Sequence, residues 1–328
     1  MKRIVVVLSA VLFIAVTPQA RAINWGGLEN DFEVLVESLG REMVPHLQQA
    51  SVLGDGLYDA QKEHYGNFYV ALTAGSVFSN GFKDEIETGE YDILNVPKLM
   101  DETFGDLPSP LSGAYDTLFP YPVLRLAFGV TLGDAQVAAH VAGLPSSVIA
   151  SATNDEIEAG ALNIGLRGRK FLIQEEGALP AIAVGAGYNF STLGLAYQMD
   201  DFTQEFGDSE LGIEGDLSVS STVHTAGVDL YASKSLAFLV PFVRVSPYLQ
   251  RSRFAGTADN FDAVLVDDSF SDDPNTSDPE GEVISYDMAL LVATGFDIRI
   301  GKGGIFLHGN YSTGTNAFGA DLGFRLGF

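Results

Sequence analysis

Few residues in this 328-residue chain stand at spacings that chemistry could use. His308 and Ser312 share one face of an alternating segment, and Asp287 sits on a neighbouring one, a set that superficially suits a hydrolase. Residues four apart on a strand lie about 13 Å apart along it, too far for proton transfer between Ser and His. No other nucleophile and base stand at a useful spacing, so the sequence predicts neither catalytic residues nor an enzyme. A second group is acidic: Asp84, Glu85, Glu87, Glu90 and Asp92; Asp200, Asp201, Glu205, Asp208 and Glu210; and Asp259, Asp262, Asp267, Asp268, Asp272, Asp273, Asp278, Glu280 and Glu282. The run from Asp267 to Pro274 offers oxygen ligands that suit calcium. It lacks the spaced carboxylates, central Gly and distal Glu of a calcium loop, so it reads as solvated loop, with divalent cations or small solutes as its partners. No metal site and no cofactor are predicted.

The third group consists of Arg125, His140, Arg167, Asp229, Arg244, Asp287, Asp297, Arg299, Asp321 and Arg325, each alternating with apolar neighbours. Mixed charges at this density either pair across a narrow interior or line a wet path. They need elements that turn them all to one side. The last segment shows how: Phe318, Ala320, Leu322, Phe324, Leu326 and Phe328 alternate with Gly319, Asp321, Gly323, Arg325 and Gly327. A strand with this period carries one apolar face and one polar face.

The same period runs through earlier segments, beginning near Gly66. Phe68, Val70 and Leu72 oppose Tyr69, Ala71 and Thr73; Leu162, Ile164 and Leu166 oppose Asn163, Gly165 and Arg167; Ile284, Tyr286 and Met288 oppose Ser285, Asp287 and Ala289. Ten such strands are predicted; Leu193–Tyr197 and Leu211–Val219 either lengthen the fifth and sixth strands or form an extra hairpin, which makes twelve the alternative. Pro241 and Pro247 predict a bulge or a local break in the seventh strand. Counting back from Phe328, the connections fall on two sides, one short (Gly301 to Gly304, Ala232 to Leu236, Phe171 to Leu179, Leu132 to Asp134) and one long (Arg253 to Val283, Ser191 to Thr222, Leu144 to Ile157, Ser79 to Pro120), with a tight exception at Gly314 on the long side. A water-soluble sandwich has no reason to sort its loops this way; an antiparallel transmembrane barrel does.

Upstream, Lys2 and Arg3, an apolar run through Val16, and Ala20-Arg21-Ala22 predict a signal peptide at residues 1–22, cleaved near Ala22. Residues 23–65 differ from the barrel at 66–328: Leu28, Phe32, Leu35, Val36 and Leu39 recur at helical spacing. This segment predicts an amphipathic helix from Leu28 to about Gln49, interrupted at Pro45, which either packs across the periplasmic mouth or enters the lumen as a plug. The net charge of −25 makes nucleic acid a poor partner, and the chain holds 0 Cys, so no disulfide is available.

The chain ends on Phe328 with apolar residues two, four and six places before it, and this resembles the C-terminal strand of bacterial outer-membrane β-barrel proteins. The resemblance implies that Leu322, Phe324, Leu326 and Phe328 form an assembly signal, and that the outer-membrane lipid and the barrel-assembly machinery are partners. It implies a pore or transporter for a small solute, or a structural surface protein. A lipid-modifying hydrolase and a fatty-acid-type transporter with an N-terminal hatch are the alternatives.

Overall fold

The computed structural model describes residues 25–52, 59–61, 67–79, 90, 119–144, 157–206, 209–267, 270–271 and 280–328. The predicted signal peptide with its predicted cleavage point, and Asp84, Glu85, Glu87, Asp92, Asp208, Asp268, Asp272, Asp273 and Asp278, lie outside these residues.

Alternation decides the wall. In the last strand, β11 (Ala317–Gly327), buried and exposed positions alternate without a slip, and the exposed set is Phe318 to Leu326 on even positions. The other wall strands are β1 (Phe68–Ser79), β2 (Phe119–Leu132), β3 (Ala135–Leu144), β4 (Ile157–Ile173), β5 (Ala181–Phe206), β6 (Ser209–Ser233), β7 (Leu239–Asp267), β9 (Glu280–Ile300) and β10 (Gly303–Ser312). A two-residue strand, β8 (Phe270–Ser271), only pairs back on β7. Each wall strand pairs antiparallel with its neighbour, β1 pairs with β11, and β6 pairs with β7, so the ten-stranded sheet closes on itself. Closure leaves no sheet edge, which is the condition for a sheet to cross a bilayer. Leu124, Leu166, Val228, Leu249 and Leu322 all point outward and exposed, an apolar exterior that water would not tolerate on this scale.

Four connections at one end are short: Gly133-Asp134, residues 174–180, 234–238, and Gly301-Lys302. Gly133 (φ 60°) and Gly301 (φ 59°) hold the left-handed backbone that tight hairpins require. At the opposite end the strands differ in length. β10, β11 and β1 have 10, 11 and 12 residues, matching the roughly 9–11 that a tilted strand needs to span the hydrocarbon. β5, β6, β7 and β9 have 26, 25, 29 and 21, so one side of the barrel projects well beyond the membrane. The segments 193–197 and 211–219 therefore lengthen β5 and β6 rather than adding a hairpin. Much of what reads in the sequence as acidic loop is ladder: Asp200, Asp201 and Glu205 lie in β5, Glu210 in β6, Asp259, Asp262 and Asp267 in β7, and Glu280 and Glu282 in β9. Backbone hydrogen bonds hold these extensions. At Pro247 the β6–β7 ladder is interrupted between Gly227↔Tyr248 and Leu230↔Val245 without a change of register, a break and not a bulge.

Helix α1 (Trp25–Val52) runs through Pro45 instead of stopping there. Proline within a helix removes one hydrogen bond and costs about 3 kcal/mol, and burial of one helix face offsets it. Phe32, Val36, Val44 and Leu47 are buried along that face. The partners are inward-facing wall residues: Val36 lies over Gly256 and Gly281, Gly40 against the Phe254 ring, and Ala50 in a cluster with Val77 and Ala317. Gly40 permits that approach, since a Cβ there would lie 3.0 Å from Phe254 Cδ1. The helix thus packs within the lumen and its projecting wall, not across the short-turn mouth. Asp59 to Gln61 reach the short-turn end, where they meet Ser233, Ser235 and Arg299.

Candidate functional site

The inward face of the wall is charged through its depth, in layers. Nearest the short turns, Arg299 donates to Asp59 Oδ2 at 2.7 Å and to Gln61 Oε1 at 2.8 Å, while the Ser233 hydroxyl donates to Asp59 Oδ1 at 3.0 Å. Lys234 Nζ stands 2.9 Å from Glu175 Oε1, and the Ser235 N–H donates to Glu175 Oε2 at 2.8 Å. Partial burial pushes the Glu175 carboxyl up, but the hydrogen bonds from Lys234 and Ser235 outweigh it and hold the group below its ordinary range.

Two buried ionic groups fill the next layer. Asp229 Oδ1 accepts from Arg244 Nε at 3.0 Å and faces Arg167 at 3.6 Å, and Ser246 bridges Arg244 and Asp229. On the other side, Arg325 donates to Asp297 at 2.6 Å, and His308 lies between Asp321 (2.9 Å) and Asp297 (3.5 Å). The His308 ring stacks on Phe306 with centroids 4.6 Å apart and meets Phe242 edge-on at 4.8 Å. Both ring nitrogens face carboxylate oxygens, an arrangement that a doubly donating imidazolium satisfies. Arg169 bonds Gln136 at 2.8 Å and lies over Phe171 and Tyr231.

Above these, Asn163 joins His140 (3.0 Å), Ser191 (2.6 Å) and Arg125 (3.3 Å), and Arg125 also donates to the Ala50 carbonyl at the end of α1. Gln49 of α1 donates to Asn310 at 2.5 Å. These polar contacts tie the helix to the wall in addition to its apolar packing. Beside it, a cavity of about 250 Å³ opens between α1 and the wall of β7 and β9.

Of the ten charged residues predicted to line the lumen, Arg125, His140, Arg167, Asp229, Arg244, Asp297, Asp321 and Arg325 are buried, Arg299 is partly buried, and Asp287, beside the cavity, is exposed. Arg169 and Asp59 complete the networks and are absent from the predicted set. Arg169 has the same parity as Arg167, so the alternation carried a signal for it, whereas Asp59 lies outside any periodic segment. His308 and Ser312 belong to separate networks, since Ser312 bonds the Tyr248 hydroxyl at 2.7 Å. Among the described residues no group of His, Asp and Glu is placed to hold a metal ion.

No family model and no curated protein sequence matches the chain. Among solved structures, it is similar to the outer membrane protease OmpT from Escherichia coli, at 10% identity and TM-score 0.38, over 79% of this chain and 94% of that one. It is also similar to the translocator domain of the autotransporter NalP from Neisseria meningitidis, at 11% identity and TM-score 0.31, over 91% and 98%. A third is the transport unit of the autotransporter AIDA-I from Escherichia coli, at 11% identity and TM-score 0.32, over 89% and 99%. What makes this chain a transmembrane β-barrel is its own closed ten-stranded ladder, polar within and apolar without.

Proposed function

We propose that the chain is an outer-membrane barrel that admits a small solute, closed at rest, with helix α1 as its gate and no catalytic role. The observation that carries this reading is the charged lumen. Arg125, Arg167, Arg244 and Arg325 are each buried to within a few per cent, although apolar filling of equal volume is as stable or more so. Ionisable residues kept inside a membrane protein at that cost mark a path. The helix blocks the path from the projecting side and is held there by Gln49, Asn310 and the Ala50 carbonyl.

The chain contains no natural cysteine, so Gln49→Cys with Asn310→Cys gives a clean cross-link between helix and wall. In planar bilayers the reduced double variant is expected to show transient conducting events, and the cross-linked one none. Events that persist unchanged after cross-linking would remove α1 as the gate. Silence in the reduced state that also survives deletion of residues 23–52 would remove the pore. A second reading, a structural surface protein, draws support from the projecting β5–β6–β7–β9 wall and is what that silence would favour.

A further inference from the structure

We infer that the cavity between α1 and the β7–β9 wall is a binding site for a small organic cation, a primary ammonium carried on an apolar body. The inference deepens the solute-path reading by giving the solute its chemistry. The cavity measures about 250 Å³, room for roughly eight waters at ~30 Å³ each, or one compact organic molecule.

Three of the groups along it are acceptors. Gln250 is buried, and its amide nitrogen donates to Asp287 Oδ2 at 3.2 Å. A carboxylate can only accept, which fixes the orientation of that amide and leaves Gln250 Oε1 on the other side, buried and without a hydrogen-bond partner. Ser285 also donates to Asp287 Oδ2, at 3.0 Å, so both of these bonds fall on one carboxylate oxygen. The third acceptor comes from the helix. Pro45 has no N–H, so it donates nothing to the Arg41 carbonyl one turn earlier, and both residues line the cavity. The Arg41 side chain is paired with Glu37 and adds no net charge. Val44, Pro45 and Ala289 supply the apolar lining.

Two acceptor oxygens and a carboxylate around an apolar floor match a group that brings several N–H donors and a positive charge. A neutral alcohol brings one donor and no charge, and a carboxylate would face Asp287 with like sign. The acidic composition favours the same sign of ligand, since a net charge of −25 raises the concentration of cations near the molecule.

The test is a calorimetric titration of the refolded full chain in detergent micelles with benzylammonium, benzyl alcohol and benzoate. Benzylammonium should bind, the alcohol at least tenfold more weakly, and benzoate not at all. Asp287→Asn should weaken benzylammonium at least tenfold and Gln250→Leu several-fold, both keeping heat-modifiable migration. The charge series on the unmodified chain stands by itself if a variant does not fold. Repeating it at about 1 M salt, where the screening length is near 3 Å, silences the acidic surface. Equal binding of ammonium and alcohol, unchanged affinity in folded Asp287→Asn, or no benzylammonium binding at roughly 10 mM would each overturn the assignment. Binding to the closed barrel needs no conduction, so failure here leaves the gate experiment standing, and the reverse also holds.

Discussion

Asp229 is the residue on which the lumen's charge balance turns. It stands between two guanidiniums, Arg244 at 2.9 Å and Arg167 at 3.6 Å, in a layer where none of the three is more than a few per cent exposed. Asp229→Asn keeps the shape and removes the charge, so two buried cations face one another. Breaking a buried pair in this way costs about 3–5 kcal/mol. We expect that loss in the midpoint of denaturant unfolding from micelles, whereas Asp287→Asn, in an exposed position, should shift it little. A quieter case is Glu175, in the turn between β4 and β5. Its folded pKa lies below its unfolded one, so its contribution is complete above the unfolded value, near 4.3, and is lost as pH falls through the folded value. The protection of the Ser235 amide against hydrogen exchange, taken relative to the intrinsic rate at each pH, should fall below about pH 4, and Glu175→Gln should remove that fall while lowering the protection at neutral pH.

At the scale of elements, the seam between β1 and β11 closes the barrel. It runs from Tyr69↔Gly327 to Phe78↔Phe318, and aromatic pairs fasten both ends. Phe68 and Phe328 lie 6.0 Å apart, and Phe78 stacks on Phe318 at 5.1 Å. The Phe328 N–H also donates to the Phe68 carbonyl at 2.8 Å. Phe328→Asp places a charge on an outer face that is otherwise apolar, next to Phe68, and should sharply lower the amount of heat-modifiable protein in the membrane fraction. Phe328→Leu should restore most of it. Normal yield of the Asp variant would mean that the terminal residue neither seals the seam nor guides assembly. This strand was fully legible in the sequence, because its outer face must be apolar and its inner face polar at every step. The upper parts of β5 and β6 were legible only as alternatives: Leu193–Tyr197 and Leu211–Val219 alternate whether they lengthen a strand or form a separate hairpin, and the backbone ladder that decides between the two leaves no mark in the sequence. The helix shows the same limit. Its apolar face at Phe32, Val36 and Val44 announces burial, but not which surface covers it. Pro45 reads as a stop only when packing is ignored. The charged layers were legible residue by residue through parity, whereas their pairing across the lumen depends on closure, which no local pattern contains.

For the whole molecule, the distribution of charge makes a further prediction about the open state. The lumen holds Arg125, Arg167, Arg169, Arg244, Arg299 and Arg325 against Asp229, Asp297 and Asp321, with Asp287 at the cavity, so its wall is not acidic. Acidic residues lie instead towards the projecting end, at Asp259, Asp262, Asp267 and Glu280 of β7 and β9. An acidic mouth concentrates cations, and its reach is about one screening length, roughly 10 Å at 0.1 M salt and 3 Å at 1 M. Conducting events are therefore expected to prefer cations at about 0.1 M and to lose most of that preference at about 1 M. Deleting the acidic stretch would be a poor control, since Thr257↔Glu280 pairs β7 with β9 within it. Neutralising Asp259, Asp262, Asp267 and Glu280 to their amides leaves the ladder intact. That variant should lose the low-salt preference and keep its high-salt conductance. Anion preference at low salt, or a cation preference that survives both high salt and neutralisation, would move the selective element from the mouth into the lumen.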